Sequence, residues 1–128
     1  MKVSQRFYSG IITHKLHESK EFYTKNFGFK VAFENEWFIL LYLGEFQLGF
    51  MQPDHPSQTR IFQTEFGGKG VWFAFEVDDV DGEYRRLKAL NIPITLELRD
   101  EPWGDRHFAM TDPNGIGVDV VKYTPPSQ

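Results

Sequence analysis

Apolar residues along this chain alternate with polar ones in short runs, and twice the period-2 pattern gives way to a helical one. Residues 7–13, Phe-Tyr-Ser-Gly-Ile-Ile-Thr, predict a strand. Leu16 to Asn26 predicts a short amphipathic helix with Phe22, Tyr23 and Phe27 turned inward, ended by Gly28, where a left-handed backbone suits glycine. Strands follow at roughly 30–36, 38–43 and 45–51, with turn signals at Asn35 and Gly44. A polar link containing Pro, Gln and Gly runs from Gln52 to Gly70, and the order then repeats. Val71–Val77 predicts a strand, and Val80, Tyr84, Leu87 and Leu90 recur at helical spacing. Asp78 or Asp79 caps that second helix, and Asn91-Ile92-Pro93 ends it. Strands near 94–99, 106–111 and 116–122 complete the second β-α-β-β-β module.

Alternation also sorts the strand faces. Phe46, Leu48 and Phe50 form an apolar set that packs under the helices, leaving Glu45, Gln47, Gly49 and Met51 on the opposite face. Tyr8, Gly10 and Ile12 oppose Phe7, Ser9 and Ile11; Trp72, Ala74 and Glu76 oppose Phe73, Phe75 and Val77; Gly117 and Asp119 oppose Val118 and Val120. At 128 residues the expectation is one domain, with a first module at about 5–52, a link at 53–70, a second module at about 71–123 and a tail at 124–128, where Pro125-Pro126 is expected to fray.

Residues 103–115, Trp-Gly-Asp-Arg-His-Phe-Ala-Met-Thr-Asp-Pro-Asn-Gly, read as an aromatic loop, an apolar strand and a turn. In Asp112-Pro113-Asn114-Gly115, Pro113 presets φ, Gly115 tolerates positive φ, and the Asp112 and Asn114 side chains bond nearby backbone. The last strand leaves this turn, which makes a hairpin with Trp103 at its mouth.

Composition narrows the chemistry. Aromatic residues are 16% of the chain, including 13 Phe, more than a core of this size needs. They point to a pocket or a dimer interface. The net charge is −4 and the basic residues are scattered, which argues against nucleic-acid binding. With no Cys there is no disulfide, thiolate nucleophile or Cys-based metal site. Met1-Lys2-Val3-Ser4-Gln5-Arg6 lacks the apolar run of a signal peptide and no stretch reaches membrane-spanning length, so the expected location is the cytoplasm, with no membrane partner. Ser4, Ser9, Ser19, Ser57 and Ser127 lack the strand-to-helix elbow of a serine nucleophile, and Gly67-Gly68-Lys69-Gly70 precedes a strand rather than following one, so it reads as linker.

Glu21-Phe22-Tyr23, the Asn26-Phe27-Gly28-Phe29 helix end, Pro102-Trp103-Gly104, the Arg106 and Phe108 that follow, and Asp112-Pro113-Asn114-Gly115 together resemble the glyoxalase/bleomycin-resistance/dioxygenase (vicinal oxygen chelate) superfamily. They look most like its bleomycin-resistance branch, and the resemblance covers nearly the whole chain. It implies an α+β fold of two βαβββ modules whose sheets curl into an open barrel around a cleft, and a homodimer. The cleft would carry Tyr8, Gln47, Trp72, Glu76 and Asp119.

Metal-dependent members of the superfamily place ligands at four equivalent points, which fall here on Tyr8, Gln47, Trp72 and Asp119. Both imidazole positions are replaced by bulky aromatics, so Gln47 and Asp119 form a residual half-site, and no cofactor is expected. His14 and His17 lie at the helix start and His55 in the link; His107 lies on a strand and is the one histidine placed to face the cleft. By the same resemblance Trp103, with Trp37 or Phe38 opposite, clamps a planar ligand; the alternative is that these aromatics cover an open barrel end or a dimer seam. Asp119 needs a partner if buried, either Arg106 or a cationic ligand. Arg106 otherwise reads as one side of a structural salt bridge.

The function this implies is metal-independent binding of a planar aromatic or cationic small molecule through Tyr8, Trp37, Phe38, Gln47, Trp72, Trp103, His107 and Asp119, as in antibiotic-sequestering resistance proteins, with no catalytic residue assigned. One alternative is a divalent-metal lyase, isomerase or dioxygenase with Gln47 and Asp119 as ligands and His107 or Tyr8 completing the set. Another is a regulatory subunit whose aromatic surface binds a protein.

Overall fold

The computed structural model describes residues 1–3 and 5–124; Ser4 and residues 125–128, with the fraying expected at Pro125-Pro126, lie outside the described residues. The elements are β1 (Ser9–Ile12), α1 (Leu16–Phe27), β2 (Lys30–Glu34), β3 (Phe38–Leu43), β4 (Phe46–Met51), a 3-10 turn (Arg60–Phe62), β5 (Trp72–Glu76), α2 (Val80–Ala89), β6 (Leu96–Asp100), β7 (Asp105–Thr111) and β8 (Gly117–Tyr123). They fall into two compact units, Met1–Gly67 and Gly68–Gln128. Each is a β-α-β-β-β module with its own four-stranded sheet, ordered β1-β4-β3-β2 in the first and β5-β8-β7-β6 in the second. In each the opening strand runs parallel to the closing strand, and the remaining pairs are antiparallel. The α+β class and the internal repeat are as the periodicity predicts.

In the first unit, Gly28 ends α1 at φ 75° and its N–H reaches the Tyr23 carbonyl. Tyr23 is fully buried, its ring 5.6 Å from Phe50, 5.7 Å from Phe29 and 5.0 Å from Phe22. Ile11, Ile39, Leu41, Leu48 and Phe50 alternate onto that same face, so the core lies between α1 and the sheet. Phe46 departs from the expected pattern and is exposed. It pairs with Leu43 directly after the Gly44-Glu45 turn, at the end of the sheet, where the turn leaves its outer flank open to water. The link is not featureless: the Gln63 side chain donates to the carbonyls of His55 (3.1 Å) and Gln58 (2.9 Å), and the 3-10 turn follows from that fold-back.

In the second unit, Asp79 is the cap of α2, accepting from Gly82 N at 3.0 Å, and Asn91 takes φ 61° past the helix end. The Asp112 carboxylate accepts from the N–H groups of Asn114 (2.7 Å) and Ile116 (2.9 Å), which builds the predicted turn. Phe108, Met110, Val118 and Val120 are buried with Leu87 and Val80 of α2. Arg106 shares their strand face at its end and donates Nε to Asp81 at 2.8 Å, with Asp100 3.2 Å from Nη1. That fastens β7 to α2 and β6, so the expected structural salt bridge forms with these partners and not with Asp119. Among the described residues no helix is long and apolar enough to cross a membrane.

Candidate functional site

Strand alternation leaves the side of the first sheet opposite α1 to Tyr8, Gly10, Ile12, Phe38, Gly49 and Met51. There they line a cavity of about 530 Å³, completed by Trp37 and by Gln58 and Phe62 from the folded link. The volume lies within the range of small-molecule sites. Gly10 and Gly49 are register partners on adjacent strands, so bare peptide forms part of the cavity wall.

Trp37 and Phe38 are held by local chemistry that the sequence encodes. The Asn35 side-chain Oδ1 accepts from the N–H of Trp37 (3.0 Å) and of Phe38 (2.8 Å), an Asx turn that orients both aromatics at the start of β3. His55 stacks on Trp37, with ring centroids 3.9 Å apart and planes 17° from parallel. His55 Nδ1 accepts from the Ser57 amide at 3.2 Å, which leaves the ring proton on Nε2 when the imidazole is neutral. The Arg6 guanidinium lies 5.5 Å from the Tyr8 ring centroid. His55 and the link residues Gln58 and Phe62 are contributions that sequence reading missed. A His followed two residues later by a Ser was the available signal, but the stack on Trp37 joins residues 18 apart through the fold-back.

Gln47 stands on the same sheet face, two residues before Gly49, and its Oε1 is buried with no hydrogen-bond partner among the described residues. No carboxylate lines this cavity, so the acidic lining expected from the sequence is not a property of the first unit's pocket. Glu76 and Asp119 belong to the second unit, as do Trp72, Trp103 and His107.

There, His107 lies on the sheet face opposite α2, the face of Asp119, because its neighbour Phe108 turns inward against Tyr84. It is buried between two carboxylates, with Nδ1 2.8 Å from Asp119 and Nε2 2.8 Å from Glu101. Arg99 meets the same Glu101 oxygen at 3.0 Å. With both carboxylates ionised, both ring nitrogens donate, as they do in the imidazolium. Burial pulls the His107 pKa down, but hydrogen bonds and charge from Glu101 and Asp119 outweigh it and raise the value above the ordinary 6.5. Glu101 is held below its ordinary 4.5, first by the His107 hydrogen bond and then by Arg99. Thus Asp119 is partnered by His107, and Glu101 is a member of this cluster that the sequence did not announce.

Trp72 is largely exposed on β5, next to Gly117. Trp103 is exposed in the β6–β7 turn, its indole N–H donating to Asp105 at 2.8 Å. Gly104 follows at φ 109°, where a Cβ would sit 2.4 Å from the Thr124 carbonyl oxygen, so this turn requires glycine.

The residue types at the four positions that the resemblance makes equivalent to metal ligands do not fit a hard divalent ion. Trp72 has no lone pair to give, Tyr8 offers a neutral phenol, Gln47 an amide, and the Asp119 carboxylate is engaged by His107. Among the described residues no group of three or more His, Asp or Glu is arranged to hold a metal ion.

The paired β-α-β-β-β modules and their sheet orders define a fold class, and comparison with known proteins places the chain within it. The model of the glyoxalase/bleomycin resistance protein/dioxygenase superfamily matches residues 7–120, and the chain belongs to that superfamily. Uncharacterised proteins of Mycobacterium bovis and Mycobacterium tuberculosis are 35% identical over 52 residues, which is 41% of this chain and 34% and 31% of theirs. The matched stretch therefore spans about a third of those relatives. Among solved structures, a glyoxalase/bleomycin resistance protein/dioxygenase from Nocardioides superposes with a TM-score of 0.80 at 24% identity, covering 99% of this chain and 91% of that one. Lactoylglutathione lyase from Agrobacterium tumefaciens gives 0.73 at 21%, covering 94% and 95%. A bleomycin-binding protein in complex with bleomycin gives 0.65 at 18%, covering 94% and 100%. These likenesses establish the shared fold.

Proposed function

We propose that this protein binds a planar aromatic small molecule in the pocket of the first unit and releases it unchanged, in the manner of the bleomycin-binding branch. The observation that carries this reading is the pocket's composition. Tyr8, Trp37, Phe38 and Phe62 surround a cavity of about 530 Å³ whose lining side chains include no charged group. Such walls bind flat π-systems by stacking and offer no nucleophile or strong general acid or base. Binding of this kind needs no metal. It also makes Trp37 the principal contact, since its ring is held by the His55 stack and its backbone by the Asn35 turn.

A ligand at one hundred times its Kd raises stability by about 2.7 kcal/mol, and chromatography of the released ligand should return it intact. Trp37→Ala is expected to weaken binding roughly 30-fold, the loss of an aromatic anchor, with little change in the unliganded melting temperature. Calorimetric titration of both proteins with planar drugs and metabolites checks this, and an unaltered affinity in the variant would remove the pocket from consideration.

A second reading is favoured by the Glu101–His107–Asp119 cluster, whose buried imidazole between carboxylates is suited to proton transfer. It makes the chain an enzyme of the superfamily's lyase or dioxygenase type. Stoichiometric metal by elemental analysis, or a ligand recovered altered, would favour it. We further propose a homodimer; light scattering behind size-exclusion chromatography tests that directly.

A further inference from the structure

We propose that Gly10 is the specificity-determining residue of the first unit's pocket: with its register partner Gly49 it leaves a floor of bare peptide, on which a flat aromatic ring lies and a puckered one does not. This rests on the reading of that pocket as a ligand site and names the residue that selects its ligand.

Both glycines line the cavity, and neither is required by its own backbone. Unlike Gly28 and Gly104, they are not among the glycines with left-handed φ. A glycine inside a strand weakens it and leaves nothing to pack, so the sheet by itself would be better served by another residue.

Crowding does not exclude a side chain at Gly10 either. Beyond its chain neighbours, a Cβ there would have one atom within 4 Å, the Gly49 carbonyl oxygen at 3.8 Å, which is ordinary contact. Gly10 is exposed, and because it lines the cavity the space over it is cavity space. Tyr8 and Ile12, two residues away on either side and on the same face, form the ends of this bare stretch. What a side chain at Gly10 would displace is therefore the contents of the pocket.

Gly49 continues the floor across the sheet and closes it. It is buried, and a Cβ there would lie 3.4 Å from Tyr8 Cε2 and 3.6 Å from the Phe38 ring. Tyr8 approaches from the β1 side and Phe38 from β3. A flat ring over Gly10 thus has peptide beneath it and two aromatic rings converging beside it. A puckered ring of the same carbon skeleton stands off the peptide and loses that contact, since dispersion falls steeply with a small gap. The lining has no Asp, Glu, Lys or Arg, so an ionised ring would lose hydration with no counter-charge to replace it.

Three probes separate these elements when titrated calorimetrically into the full chain: 2-naphthol, which is flat; decahydro-2-naphthol, with the same skeleton and hydroxyl but puckered; and 2-naphthoate, flat and anionic. The native protein is expected to bind 2-naphthol about tenfold tighter than either of the others. Gly10→Val, a β-branched residue that suits a strand, should bring 2-naphthol level with decahydro-2-naphthol without lowering the melting temperature. If Gly10→Val does not fold, Gly10→Ala takes its place. A melting temperature lowered in both variants would mean that the sheet itself needs this glycine, and would overturn the proposal. So would a 2-naphthol preference that is absent in the native protein or survives in the variant, while binding that still falls in Trp37→Ala keeps the pocket reading intact. Failure of every probe to bind the native protein, or 2-naphthol binding unchanged in Trp37→Ala, overturns the pocket reading and this inference with it.

Discussion

Tyr23→Ala is expected to cost about 3–5 kcal/mol of folding stability, the range for deleting a large buried aromatic. Tyr23 has no exposed surface and contacts the rings of Phe22, Phe27, Phe29 and Phe50, so it joins α1, the approach to β2 and the end of β4. Those rings cannot all collapse into the vacated space, because each is fixed by its own element, and a cavity remains. A loss of that size is a large part of the roughly 5–15 kcal/mol that holds a typical domain together. The consequence reaches the pocket. Phe50 is the inward neighbour of Gly49, so loosening the back of β4 disturbs the bare wall on which a ligand would lie. Urea unfolding monitored by circular dichroism measures the loss; a change below about 1 kcal/mol would mean that α1 is not what supports this sheet.

His107→Gln is expected to make stability markedly less dependent on pH, and the sign follows from two opposite shifts. The His107 pKa is raised on folding, so its contribution is fully present below its ordinary 6.5 and disappears as pH rises through the raised value. The Glu101 pKa is lowered, so its contribution is present above its ordinary 4.5 and disappears as pH falls through the lowered value. The cluster therefore stabilises most between 4.5 and 6.5. In that window the wild type should exceed the variant by about 2 kcal/mol, the scale of losing charge-assisted hydrogen bonds at a partly buried site. The gap should close as the solution becomes alkaline. Unfolding of both proteins across pH 4–9 decides it, since general acid effects cancel in the difference. A gap that stays constant, or widens at high pH, would show that His107 is neutral between its carboxylates.

Secondary structure was legible because its causes are local. Gly28 after Asn26-Phe27, Asp79 before Val80, and Asp112-Pro113-Asn114-Gly115 each act within one turn, and each works as its residue types dictate. The repeat of the module was legible because periodicity changes from two to 3.6 and back in both halves. Strand faces followed from alternation, which placed Gly10 with Tyr8 and Ile12, and Asp119 opposite Val118 and Val120. Phe46 shows the limit of that argument: alternation assigned its face, but not that the sheet ends beside it.

Two features of the candidate sites lay beyond any such reading. The link between modules carries only a polar composition, yet its fold-back through Gln63 brings His55 onto Trp37 and Gln58 and Phe62 into the cavity wall. Asp119 had a carboxylate's need for a partner, and Arg106 was as close in sequence as His107, but adjacent residues of a strand point to opposite faces, so only one of them shares its side. By itself the sequence determined the two modules and the turn chemistry, because these depend on neighbouring residues and a fixed period, and its ordered motifs carried the resemblance to the superfamily. Only tertiary structure decided which groups meet: Glu101 with His107 and Asp119, and His55 with Trp37, because those contacts depend on the register and packing of segments distant along the chain.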